Sequence, residues 1–405
     1  MTLAEAPLVL MLVGLTAYAV LGGADFGAAF WQLGSRSEAR REHAYRSMGP
    51  VWETNHVWLV FVLAICWTAY PEAFASIFST LTVPLFIAAV GIILRGTAYA
   101  VHAGTAREIE RQAIDAVFSA SSILTPFALG TAIGGIASGR VPVGNAEGDL
   151  VTSWVNPTSF AIGTIAVATG VYLASVYLAG DAVRAGHSAL ADAFRKRALA
   201  SGTVTGVVAL AGLLVVAVDA DKLRSGLFGW PAVLAIVASP AAGLATLELV
   251  RRARFEAARY LASAAVAAIV VGWALAQRPE LLPGLTVEEA AAERSTLIAT
   301  IVGVAFGAVI LVPSLVLLFG LVLRGRFDRE AIGADVEPRT RRVPFRRQPL
   351  AGLAILALAV GLPLTLVPEG GPVQALGVIG LLAFVAVGSV ALGSAATAVE
   401  RDGDG

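Results

Sequence analysis

The chain has 405 residues, 57% of them hydrophobic and only 14% charged, with a formal net charge of zero. Ordinary soluble domains carry about 25% charged residues, so this composition predicts many membrane spans rather than one anchor. With no basic excess nucleic acid is excluded as a partner, and the single cysteine, Cys66, excludes an intrachain disulfide and a cysteine metal cluster.

In chain order, the opening stretch MTLAEAPLVL lacks a basic region of the kind that begins a signal peptide, so the first span is expected to stay in the mature protein. Apolar runs predict eleven helices, over residues 6–34, 51–70, 74–102, 113–138, 157–180, 200–218, 227–250, 259–277, 295–323, 349–368 and 373–396. Each approaches or exceeds the ~20 residues that cross the hydrocarbon core. The alternation of a membrane barrel is absent, so the expected fold is all-α: a polytopic membrane helical bundle with a nine-helix core and two C-terminal helices. The domain reading is a body over residues 1–325, a basic linker over 326–348 and a two-helix extension over 349–405.

Charge tests the count. With the N-terminus outside, the inner loops and their flanks hold 23 of the 29 Lys+Arg residues, and the C-terminus is cytoplasmic. The outer loops hold Arg140, Lys222, Arg224, Arg278 and Arg294; Arg95 lies within the third span. This is the asymmetry of the positive-inside rule. The longest inner loop, RGRFDREAIGADVEPRTRRVPFRRQ, is basic and could touch anionic lipid on the cytoplasmic face or simply fix topology.

Ionisable residues inside a membrane are costly and mark functional sites by default. The first span carries Asp25 in LGGADFG, between Gly23 and Gly27, a small-residue pair that lets another helix approach closely. The second opens with GPVWETNHVW, where Trp52 and Trp58 flank Glu53, Asn55 and His56. The third carries Arg95, and the fourth carries Asp115 about one turn in, placed to snorkel to the interface. The topology puts these charges in the cytoplasmic half of the membrane. They read either as a wet path for protons or as a structural ion pair of Arg95 with Asp25 or Glu53. His56 reads as a hydrogen-bonded packing residue rather than a ligand. Four histidines and three methionines, several of them in loops, cannot readily assemble a multi-haem centre. No phosphate loop, zinc motif or nucleophile elbow is present. Redox chemistry would have to reside largely in another subunit.

The stretch MGPVWETNHVWLVFVLAICWTAYPEAFASIFSTLTVPLFIAAVGIILRG strongly resembles the signature region of subunit II of the cytochrome bd quinol oxidase family. YAVLGGADFGAAFW resembles that family's first-helix motif, and LAQRPELLPGLTVEEAAAERSTLIATIVGVAFGAVILVPSLVLLFGL resembles its eighth and ninth helices. The resemblance covers about residues 1 to 325. It implies a nine-helix subunit of the prokaryotic plasma (inner) membrane that pairs with a haem-bearing subunit I. That partner carries haem b and haem d, with none ligated by this chain. The complex would oxidise quinol and reduce dioxygen to water, drawing protons from the cytoplasm. Asp25 matches the family's first-helix acid. Glu53 matches an acid at the start of the second helix that is commonly aspartate. The resemblance places both on a hydrophilic route toward the partner's haems; the residues themselves add Asn55, His56 and Arg95 as a supporting polar cluster, and no catalytic residue is expected in this chain. It also leaves room for a structural quinone. The two C-terminal helices lie beyond it. They read either as a counterpart of the small one-helix accessory subunits of such complexes or as an extension that pads the lipid-facing surface. The competing reading from another class is a proton-coupled secondary transporter built around Asp25, Glu53 and Arg95.

Overall fold

A proline cannot donate the backbone bond that a continuing helix needs, and Pro71 and Pro84 punctuate the early part of the chain accordingly. The computed structural model describes residues 2–33, 39–41, 43–44, 52–102, 108–323 and scattered positions from 352 to 387. Helix α1 runs Glu5–Gln32 and contains a π turn at Tyr18–Gly22. Helix α2 is Trp52–Ala69. Then come α3, Pro71–Thr80 with proline in its first turn, and α4, Thr82–His102. The single span expected over 74–102 is therefore two helices. They meet at Leu81 (φ −98°, ψ 24°), because Pro84 has no N–H to bond back across the junction.

The remainder follows the expected order with longer helices: α5 is Glu108–Ala137, α6 is Pro157–Arg184 and α7 is Ser188–Asp219. A short α8, Asp221–Leu227, precedes α9, Trp230–Arg251, and α10, Phe255–Gln277. A hairpin of β1, Glu280–Leu282, and β2, Leu285–Thr286, leads through α11, Val287–Ala290, to α12, Arg294–Leu323. Among the described residues eight helices are long and apolar enough to cross a membrane, and α2 adds a shorter apolar helix over Asn55–Ala69. Several spans begin or end beyond the apolar run because polar helix formers extend them: α7 starts twelve residues before 200, in SALADAFRKRAL.

The chain divides into two compact units, Met1–Gly333 and Ala334–Gly405. In the second, Gly380 faces the backbone of Gly361, and a Cβ added there would lie 2.8 Å from the Gly361 Cα. Most of the expected helices 349–368 and 373–396, and the linker 326–348, lie outside the described residues.

In the first unit α6 is the central helix. It packs on α1, α5, α7 and α10, and residues 169–176 are buried throughout. Lipid offers no hydrophobic drive between helices, so close packing of small residues must supply it. The contacts follow that rule. Gly23 and Gly27 of α1 lie against Gly170 of α6, and a Cβ on Gly27 would sit 2.0 Å from the Gly170 carbonyl oxygen. Gly130 of α5 meets Gly163 of α6, and Gly134 meets Ser159. By contrast α12 is unburied along its apolar length, and α7 and α9 expose Leu214, Val218, Trp230 and Leu244.

One end of the bundle is closed by a floor of Tyr70, Leu81, Val141, Leu282, Leu285 and Val287. There the Ala292 N–H donates to the Ala69 carbonyl at 2.8 Å. Three helix ends are stapled nearby. The Asp219 carboxylate at the end of α7 accepts from Arg140 Nη1 and Nη2 (3.0 and 2.7 Å), and from the Thr158 hydroxyl at the start of α6 (2.6 Å).

Replacing Gly27 with alanine drives a methyl group into the α6 backbone and is expected to cost about 1–3 kcal/mol or more. Gly206→Ala, which meets nothing within 4 Å, is the control that should leave thermal unfolding of the purified protein unchanged.

Candidate functional site

The first turn after the π turn of α1 holds Asp25, and the α1–α6 glycine contact keeps lipid away from it. Asp25 is 7% exposed and Arg95, reaching across from α4, is 1% exposed. The two form a bidentate pair: Arg95 Nη1 donates to Asp25 Oδ2 at 2.9 Å and Nη2 to Oδ1 at 2.8 Å. Nε of Arg95 donates to Ser122 Oγ of α5 at 2.9 Å, and that hydroxyl donates to the Phe118 carbonyl at 2.6 Å. The guanidinium also lies over two rings, 4.8 Å from the centroid of Phe26 and 5.1 Å from that of Phe118. Fork-to-fork pairing of this kind is the strong form of ionic hydrogen bond, and the aromatic faces add cation–π attraction. Such compensation is what makes a desolvated pair tolerable.

Helix α2 supplies the adjoining polar groups. Asn55 is 3% exposed and its Nδ2 donates to the Leu21 carbonyl at 3.3 Å, inside the π turn. Turns of this type recur at functional sites, where they disturb the regular helix ladder. The His56 ring is half-buried and rests against Tyr18 and Phe26, with centroids 6.0 and 6.1 Å away. Glu53 stands in the first turn of α2, and its side chain lies outside the described residues. Asp115 is half-buried on α5.

Asp25, Asn55, His56 and Arg95 are thus brought together, and of the two acids offered to Arg95 the described contacts go to Asp25. The sequence reading missed Ser122 and the rings of Tyr18, Phe26 and Phe118. A signal for Ser122 exists in the run SASSILT, where Ser119, Ser121, Ser122 and Thr125 are all buried in an otherwise apolar helix. The other ionic clusters serve the bundle's edges: Asp181 holds Arg259 at 2.7 Å, whose guanidinium lies over Tyr177.

His56 faces two aromatic rings and feels the Arg95 cation, and His43 Nε2 lies 3.1 Å from the Leu178 carbonyl. Among the described residues no three His, Cys, Asp or Glu side chains converge.

Fold and site together define a polytopic helical membrane protein with a closed ionic cluster inside its span. The family described as cytochrome bd terminal oxidase subunit II matches residues 3–322. A Bacillus subtilis (strain 168) protein, provisionally described as a cytochrome bd menaquinol oxidase subunit II, is 26% identical over 223 residues, 53% of this chain and 63% of the relative. A second protein of that organism, a cytochrome bd ubiquinol oxidase subunit 2, is 26% identical over 123 residues, 30% of this chain and 36% of the relative. The chain therefore spans less than two thirds of each curated relative in alignment. The bd oxidase structure from Geobacillus thermodenitrificans matches with a TM-score of 0.63 and 25% identity, over 80% of this chain and 99% of that one. The chain belongs to the cytochrome bd terminal oxidase subunit II family. It is accordingly a multi-pass plasma membrane protein of a prokaryote.

Removing one partner of a buried ion pair typically costs about 3–5 kcal/mol, because the other is left charged and unpaired. Arg95→Leu and Asp25→Leu should each destabilise by that order, and the double variant should lose much less than their sum. A double-mutant cycle on thermal unfolding of the purified complex measures the coupling.

Proposed function

We propose that this chain is the haem-free membrane subunit of a cytochrome bd-type terminal oxidase, an enzyme complex that oxidises quinol and reduces dioxygen to water. The observation that carries the reading is the family match over residues 3–322, and the quinol oxidase descriptions of its relatives support it. Haem b and haem d belong to the partner, subunit I, which the histidine chemistry of this chain fits. A structural quinone would be held within the complex without redox turnover in this chain. The N-terminus faces outside and the C-terminus the cytoplasm, as the arginine distribution favours. The body spans residues 1–325, and the basic segment 326–348 leads to a two-helix extension, residues 349–405, that enlarges the lipid-facing surface. One-helix accessory subunits are further candidate partners.

Water formation consumes protons, and this subunit helps deliver them from the cytoplasmic side. The polar cluster of Asp25, Glu53, Asn55, His56 and Arg95 borders that path, at the only point where α1, α2, α4 and α5 bring described charged and polar groups together inside the span. A transporter reading would want Asp25 and Arg95 turned toward a substrate, whereas each is bonded to the other.

Glu53→Gln in the purified complex is expected to slow quinol-driven oxygen consumption by about tenfold or more, the scale of a lost proton-transfer group, with the haem spectrum unchanged. Unaltered turnover would remove Glu53 from the path. Loss of haem would assign it to assembly instead.

A further inference from the structure

We propose that His56 is the group in this cluster that takes up and releases the proton, while Asp25 and Arg95 form a fixed ion pair that positions it. The inference rests on the proton-path reading above and assigns its carrier.

The geometry argues against Asp25 as the carrier. Both of its carboxylate oxygens accept from the Arg95 guanidinium, at 2.8 and 2.9 Å. Protonating either oxygen would break a charge-assisted bond and leave a buried cation short of its counter-ion. A carboxylate clamped in this way is a fixed member of the pair, and a guanidinium is no proton donor in proteins.

His56 has the opposite character. Imidazole is the side chain whose charge changes between about pH 5 and 8 without perturbation. The ring is half-buried and both of its nitrogens are enclosed, so a proton reaches it through the protein interior and not straight from the surface. Among the described contacts, the titratable and charged groups near it are Tyr18 and Asp25 from α1 and Arg95 from α4. The last two carry opposite charges fixed against each other, so they bias the ring without trapping its proton. Glu53 precedes His56 by three residues on the same helix, toward the cytoplasmic end in the proposed orientation.

A second observation lies beside the ring. The Tyr18 hydroxyl is buried and has no hydrogen-bond partner among the described residues. Buried hydroxyls are almost always satisfied, and this one, with donor and acceptor capacity unspent, is set to order water next to the imidazole. The step is simple in balance. A proton adds to one ring nitrogen, the proton on the other leaves, and the imidazole ends with the number it began with. The π turn that carries Tyr18 toward α2 thereby gains a purpose: it brings the tyrosine ring and the histidine ring within 6.0 Å of each other.

The test uses the intact complex with His56→Gln and His56→Asn beside Glu53→Gln. The proposal expects the His56 variants to keep their haem and lose about tenfold or more of oxygen consumption at neutral pH. Their rate should also become flatter between pH 5 and 8 than that of the unmodified complex. Unchanged rate and pH profile in the His56 variants, with Glu53→Gln slowed, overturns the assignment to His56 and leaves the path standing. Unchanged rates in all three overturn both readings. Loss of haem in both His56 variants also overturns the proposal, since it makes the ring a structural packing group.

Discussion

A guanidinium and a carboxylate are buried together inside this bundle, and the surrounding architecture answers to their needs. In lipid an unpaired charge is expensive. Asp25 and Arg95 therefore fix three helices in register: α1, which supplies the acid, α4, which supplies the base, and α5, whose Ser122 takes the remaining Nε donor. The rings of Phe26 and Phe118 close the faces of the guanidinium. The glycines on either side of Asp25 let α6 press against α1, so that the acid is covered by protein and not by lipid. Pair and glycines belong to one device: a bulkier α1–α6 contact would open the pocket, and an unpaired arginine would call water into it.

Much of this was legible in the residues. Composition and the apolar runs are enough for an all-helical membrane bundle, and charge in the loops favours a direction. The significance of Asp25, Asn55, His56 and Arg95 follows from the cost of polarity in a membrane. The Gly23–Gly27 pair announces a close helix contact but not with which helix, because Gly170 lies far away in sequence and the match is tertiary. For the same reason the sequence leaves Arg95 a choice of acids, and the described contacts include the one to Asp25. The π turn is invisible to a periodicity argument, which assumes one residue angle throughout. The break at Leu81 was readable from Pro84 but is overridden in an apolar count that treats 74–102 as continuous.

The division of surfaces bears on function. Helices α1, α4 and α5 hold the ionic cluster, with α6 packed against α1 beside it. Helices α7, α9 and α12 show apolar faces that the other described residues leave exposed, as suits a protein embedded in lipid. On the proposed function, a subunit of this kind would lend a polar route to chemistry performed elsewhere. Burial on one side of the bundle and exposure on the other are then two aspects of the same task.

That division of labour is tested most directly by a reduced-minus-oxidised absorption spectrum of the chain purified gently from its native membrane, read beside a gel. The account predicts haem b bands, with or without a red-shifted haem d band, in a preparation that contains a second large membrane subunit. Separation of the two subunits should leave the colour with the partner. A colourless chain that purifies alone from membranes expressing it, or haem that stays with this chain after separation, would contradict it.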